Sequence, residues 1–365
     1  MARKSARRSG KVVTIHDVAR HAGVSPMTVS RVMNSEPNVR EETRARVMAS
    51  VKALRYSPNL AARSLASANG MHIGIFFRNP SAGYLSELLL GSLDQSRRSG
   101  CQLVIEQCDS PEKDREAIQR LVKGGIDGVI LPAPLCDSEE ALRGVAEAGI
   151  PAVLVSSGRT PPEHSAVHIN NFEASRAMTR HLLGLGHTRI GFINGHPAQT
   201  SSGQRFRGFI EAMTEAGLKV GPHQVAQGYF DYRSGLTAAE QLLKNFNPTA
   251  IFASNDDMAL ATMAIAHRRG LDVPGDLAIV GFDDTPLATT VWPELTTVRQ
   301  PIAQMAKEAV NLLLEQIRRK RSGAPQQVVH RLLDVTLVER ESSAPPGGRP
   351  RPRRRAPTPH KPVQA

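Results

Sequence analysis

Thr14-Ile-His-Asp-Val-Ala-Arg-His-Ala-Gly-Val-Ser-Pro-Met-Thr-Val-Ser-Arg-Val-Met-Asn34 reads as two short helices joined by a tight turn. Thr14 and Asp17 have the spacing of a capping box, and Ile15, Val18, Ala19 and Ala22 give the first helix one apolar face. Gly23 stops it. Ser25 is a good N-cap, and Pro26 suits a first helical turn because its missing N–H is not needed there. Val29 and Val32 then face inward, while Met27, Thr28, Ser30 and Arg31 face outward. A second helix with this polar start fits the major groove of DNA. The pattern alone would equally suit a helical hairpin with solvated charges.

Charge separates these readings. Residues 1 to 66 carry a net +9, the tail from 342 to 365 carries +6, and the stretch between them is close to neutral at −3. Positive charge clustered beside a helix-turn-helix is what phosphate neutralisation requires. Glu41 to Leu54, with Val47, Val51 and Leu54 on one stripe, predicts a third helix that closes a small core.

The motifs Asp17-Val-Ala, Ala22-Gly-Val-Ser25, Thr28-Val-Ser-Arg31, Tyr56-Ser-Pro58 and Ala62-Arg-Ser-Leu65 stand in one register. On these, the run from Val13 to Leu65 resembles the lactose/galactose-repressor family of bacterial transcription regulators. The resemblance implies that 1–12 is a basic flexible arm, that 13–58 is the DNA-binding headpiece and that 59–70 is a hinge helix and linker. It also implies a set of operator contacts: Thr14, Ser25, Pro26, Met27, Thr28, Ser30, Arg31, Asn34, Tyr56, Asn59, Ala62, Arg63 and Leu65. In the family the residue matching Leu65 wedges into the minor groove, and such wedges kink DNA by unstacking a base step.

Beyond the headpiece the chain alternates strand and helix signals. Apolar runs at 72–77, 102–105, 128–131, 152–155, 189–193, 249–253 and 277–281 are separated by helical stretches such as 84–99, 113–123, 172–184, 204–217, 234–245 and 257–268. Alternation of this kind predicts parallel sheets covered by helices, with ligands at the carboxyl ends of the strands. The resemblance continues to about residue 341 and implies a two-lobed α/β periplasmic-binding-protein-like core. One lobe is expected at about 71–170 plus 302–329, the other at about 171–298 plus 330–341. The crossovers then fall near Asn170, Val298 to Ile302 and Val328 to Leu332.

For an effector in the cleft, the resemblance points to Tyr84, Ser156, Arg205, Phe230, Asn255, Asp256 and Asp283. An arginine fork, an amide and a carboxylate at strand ends can satisfy several vicinal hydroxyls, and Phe230 can offer a flat apolar wall. Read singly, Asn255 has the alternative of capping the following helix and Asp283 that of closing a turn, but the set together favours ligand contact. Ser156 and Asn170 stand where sugar-binding members carry aspartates, which removes an acceptor from the first lobe.

No nucleophile elbow, metal-spaced His/Cys set or dinucleotide fingerprint is present. No catalytic residue, metal or cofactor is therefore expected, and the chain is not expected to be an enzyme. Cys101, Cys108 and Cys136 form an odd set without Cys-x-x-Cys spacing, which suits reduced thiols. The basic start leads into no apolar run of signal-peptide or membrane-spanning length. Residues 342–365, with seven prolines and no leucine, read as a disordered basic tail that cannot extend a coiled coil. The expectation is a cytoplasmic homodimeric regulator on the nucleoid, with no membrane partner. It binds a pseudo-palindromic operator as a repressor of carbohydrate-use genes and is released by a sugar-type effector. Its alternatives are a corepressor-dependent regulator and a sugar-modifying enzyme with an appended headpiece.

Overall fold

The computed structural model describes residues 14–33, 39–54, 70–78, 80–108, 110–156, 158 and 161–348. Asn34, Tyr56, Asn59, Ala62, Arg63 and Leu65 lie outside them. The chain forms two compact units, split at Gly70.

In the first unit, α1 (Ile15–Ala22), α2 (Pro26–Met33) and α3 (Glu41–Ala53) enclose a core of Val18, Ala19, Ala22, Val29, Val32 and Val47. Val51 and Leu54 pack against it partly buried. The Asp17 carboxylate accepts from both the amide and the hydroxyl of Thr14, at 2.9 and 2.7 Å. Gly23 turns the chain at φ +64°, a conformation that costs a residue with Cβ but not glycine. Ser25 Oγ accepts from the Thr28 amide and so caps α2.

The second unit begins with β1 (His72–Phe77), α4 (Ala82–Ser99), β2 (Gln102–Gln107), α5 (Asp114–Lys123), β3 (Gly128–Pro132), α6 (Glu139–Ala148), β4 (Ala152–Val155) and β5 (Ser165–Ile169). It continues through α7 (Asn171–Gly184), β6 (Ile190–Asn194), α8 (Thr200–Glu215), β7 (Val225–Gln227), α9 (Tyr232–Asn245), β8 (Ala250–Ala253), α10 (Asp256–Arg268), β9 (Ala278–Asp283) and β10 (Thr296–Arg299). Helix α11 (Ile302–Arg321), β11 (His330–Leu333) and β12 (Thr336–Val338) complete it. Two six-stranded sheets result, ordered β11-β5-β4-β3-β1-β2 and β12-β10-β9-β8-β6-β7. Every pairing is parallel except β10 with β12. The predicted α/β architecture is therefore the observed one. The fully buried strands β3, β4, β8 and β9 are continuous apolar runs, as a sheet covered on both faces demands.

Two expectations are corrected. Strand β11 pairs in parallel with β5, so 330–333 belongs to the first sheet and the third crossover falls at Asp334 and Val335, not near 328–332. The His330–Leu333 run is amphipathic edge sequence, which suits either sheet until its pairing is seen. The second correction concerns 342–348, read as part of a disordered tail. Ser342 and Ala344 are buried. Ser342 accepts from the Thr296 amide at 2.8 Å and donates to the Ile279 carbonyl at 2.6 Å, and His187 Nε2 meets the Ala344 carbonyl at 2.8 Å. Small side chains with hydrogen-bonding partners dock here, where composition alone gave no apolar anchor.

Candidate functional site

The carboxyl ends of both sheets face one cleft. From the first lobe come Ser81 and Tyr84 at the start of α4, Ala133 after β3 and Ser156 after β4. The second lobe brings Arg205 from α8, Phe230 after β7, Asn255 after β8 and Asp283 at the end of β9. Gln300 lies on the second crossover, between β10 and α11. The cavity they leave is about 30 Å³, room for about a water molecule or two.

Arg205 organises the site. Its guanidinium lies 3.6 Å from the centroid of Phe282 and 5.7 Å from that of Phe230. Nε donates to Asn171 Oδ1 at 2.9 Å and Nη1 to the Ser254 carbonyl at 2.5 Å, while Asp283 Oδ1 stands 3.7 Å away. Gln300 Nε2 donates to that same Asp283 oxygen at 2.5 Å. Across the cleft the Tyr84 hydroxyl and Ser156 Oγ are hydrogen-bonded at 2.5 Å. Phe230 fits because Gly195 has no side chain: a Cβ there would lie about 2.0 Å from the ring.

Backbone strain gathers here. Ser156, Phe230, Asp283 and Asp284 have φ of +63°, +65°, +118° and +56°, which leaves Asn247 as the other non-glycine residue with positive φ among those described. Such conformations cost of order 1–3 kcal/mol each and persist where a site over-determines them.

Contacts between the lobes close the cleft. The Asp137 carboxylate accepts from the amide and hydroxyl of Thr200, the first residue of α8, and Ser81 Oγ donates to Asp257 Oδ2 at 2.6 Å. Asp256, expected in the effector set, faces the other way. Its carboxylate accepts from the Thr285 amide and hydroxyl and from the Thr297 hydroxyl at 2.6–3.1 Å, so it clamps strand ends together behind the cleft. One residue along a helix rotates a side chain by about 100°, which sends Asp257 toward the first lobe instead. Asn255 fulfils both readings of its sequence position: Oδ1 caps α10 at the Met258 amide, Nδ2 donates to the Phe230 carbonyl, and the residue also lines the cleft.

Asn171, Gln199, Ser201 and Gln300 escaped the sequence reading. For Asn171 the signal was present, since it sits in the Asn170-Asn171 pair before α7. Gln300 follows β10, a strand with too little apolar periodicity to stand out.

Burial pushes the Asp283 carboxyl up to about 7, and the Arg205 charge pulls it back only in part. Asp256 is raised as well, by burial and by Asp283. Between their ordinary range and neutrality the folded chain therefore holds more protons than the unfolded one, so stability falls as pH rises from about 4 toward 7. Thermal melts between pH 5 and 8 should show this decline, and it should be shallower in Asp283→Asn. An identical slope in the two proteins would place the titration elsewhere.

The described residues expected to face DNA gather on α2 and at its N-cap, apart from Thr14. Met27 is 64% exposed, Ser25 and Arg31 are exposed, and Pro26, Thr28 and Ser30 are partly so. Residues 14–59 match the model of the bacterial regulatory proteins, lacI family, and 179–343 match that of a periplasmic binding protein-like domain. Catabolite control protein A of Priestia megaterium is 34% identical over 324 residues, which span 88% of this chain and 97% of that protein. The chain belongs to the lacI family of bacterial regulatory proteins.

Solved lacI-family structures agree. The transcriptional regulator CelR in complex with cellobiose is 30% identical, with a TM-score of 0.69, covering 91% of this chain and 100% of that one. The Lac repressor dimer bound to operator and the anti-inducer ONPF is 29% identical, with a TM-score of 0.72, covering 92% and 100%. This lacI-family chain is a DNA-binding transcription regulator with an effector-binding core.

Proposed function

We propose that this regulator is a homodimeric repressor of carbohydrate-use genes whose operator affinity is set by a sugar-type molecule between the lobes. The observation that carries this reading is the Arg205–Asp283 pair, held against Phe230 and Phe282 at strained strand ends, with the Tyr84 and Ser156 hydroxyls facing it. A fork, a carboxylate, hydroxyls and an aromatic face together suit a ring bearing several hydroxyl groups. CelR, with the same fold, is described in complex with cellobiose.

A cavity of about 30 Å³ cannot hold a sugar. Entry must part the lobes at the Asp137–Thr200 and Ser81–Asp257 contacts, turning them about the three crossovers. The first lobe takes the headpiece linker, so its reorientation changes the spacing of two headpieces in a dimer and with it their grip on a pseudo-palindromic operator. Coupling of this kind is typically worth about 1–3 kcal/mol. Exposed Leu90 and Leu93 on α4 and Trp292 after β9 offer apolar surface for a second copy.

A thermal-shift screen over sugars and sugar acids tests the reading, followed by operator binding with the best hit. A tenfold or greater fall in operator affinity is expected, within the range of typical coupling. A rise would make the ligand a corepressor, and a bound sugar without effect on operator affinity would refute the reading. Met27→Ala and Arg31→Ala should each shift the selected operator sequence, since a good base contact is worth about 1–3 kcal/mol. Binding-site selection returning one consensus for all three proteins would remove these residues from the reading face.

A further inference from the structure

We infer that the cleft selects an uncharged, hydroxyl-rich effector and rejects the phosphorylated or carboxylated form of the same molecule. The inference rests on the reading of this cleft as the effector site and narrows its ligand class.

The charged side chains lining the cavity are the Arg205 guanidinium and the Asp283 carboxylate, with the acids of Asp256 and Asp257 close behind and beside them. Arg205 is already committed on several sides, to Asp283, Asn171, the Ser254 carbonyl and the Phe282 ring. Asp256 lies fully buried behind Asp283 and adds a second acidic group, its hydrogen bonds coming from Thr285 and Thr297. Arg78, just after β1, is held by the buried Asp114 carboxylate at 2.5 Å, and Arg299 and Arg340, which line a neighbouring pocket with Asp283 and Gln300, are paired with Asp284 at 2.6 Å. Among the described residues lining the cavity, Arg205 is the single Lys or Arg. An incoming anion would face Asp283 a few Å away in surroundings poor in water, where like charges repel strongly.

Hydrogen-bonding capacity points the same way. Gln300 is buried; its Nε2 is spent on Asp283, and its Oε1 is a buried acceptor without a partner. Asp283 Oδ1 takes Gln300, which leaves Oδ2 as a further acceptor. These groups ask for donors. Hydroxyl groups supply donors, whereas a phosphate dianion or a carboxylate offers acceptors only. A buried acceptor left unmatched is costly, so the mismatch selects against the anion a second time.

The test is calorimetric titration of the full-length protein, at slightly alkaline pH, with glucose, galactose, ribose and maltose and with glucose 6-phosphate, ribose 5-phosphate and gluconate. The neutral member that binds should do so about a hundredfold or more tightly than its charged counterpart, as expected for unscreened like charges at this range. Asp283→Asn should narrow that gap by about tenfold by removing one negative charge. Gln300→Leu should weaken the neutral ligand without improving the charged one. A phosphate or acid that binds the wild type as well as its neutral parent overturns the inference and leaves the effector site standing. No heat and no thermal shift with any member at millimolar concentration overturns the sugar-type reading, and the inference with it.

Discussion

Asp283→Ala loses the effector response and melts well below the wild type. The substitution leaves Arg205, whose side chain is 6% exposed, as a buried charge without its carboxylate. Breaking a buried ion pair from one side costs about 3–5 kcal/mol, more than the pair itself is worth. Arg205→Ala should do the same from the other side, because Asp283 and Asp256 are then left together without the guanidinium. The double change Arg205→Met with Asp283→Leu separates site from scaffold. It should recover part of the lost stability, since no charge remains stranded, yet stay blind to effector. Thermal denaturation and operator binding with and without ligand read both quantities. A stable Asp283→Ala protein that still responds would remove the pair from the site.

Gly208→Ala is the second large effect, and it acts through packing alone. Gly208 lies three residues after Arg205 on α8, where the helix presses against α7 so closely that a Cβ would sit 2.2 Å from the Phe172 carbonyl oxygen and 3.0 Å from the Arg176 amide. Alanine improves helix propensity by up to about 1 kcal/mol. Forcing the helices apart costs about 1–3 kcal/mol or more, because the obstacle is backbone and cannot rotate away. The net change is therefore destabilising. Displacement of α8 also moves Arg205 from Asn171, so ligand affinity should fall together with stability. Urea denaturation showing equal or greater stability for the alanine protein would contradict this account.

The headpiece was legible because local rules govern it. Caps, a glycine stop and one apolar stripe per helix fix three short helices, and their core of valines and alanines follows from spacing. Strands β1, β3, β4, β8 and β9 were legible for a similar reason, being apolar runs buried on both faces. Strands β7, β10, β11 and β12 were not, since short or edge strands carry mixed residues whose pairing is decided by distant neighbours. The site divides along the same line. Arg205 lies on a recognisable helix, Phe230 shortly precedes another, and Asn255 and Asp283 sit at the ends of recognisable strands. Whether Asp256 or Asp257 looks toward the cleft depends on the rotation of α10, and Gln300 depends on a crossover whose strand gave little signal.

The docking of residues 342–348 alters where this protein can safely be cut. Arg340, a basic residue near the apparent end of the folded core, is only 8% exposed at its side chain and is pinned between Asp284 and the Leu295 carbonyl. A trypsin-like protease needs that side chain free, so it would pass over Arg340 in the native protein. A truncation after Glu341 would strip Ser342 from the Ile279 and Thr296 backbone and uncover His187, leaving open sheet where the full chain is sealed. A fragment of the effector core should keep at least Gly347, whose amide donates to the Gly275 carbonyl at 3.2 Å, and fragments cut before Ser342 should aggregate before they fail to bind.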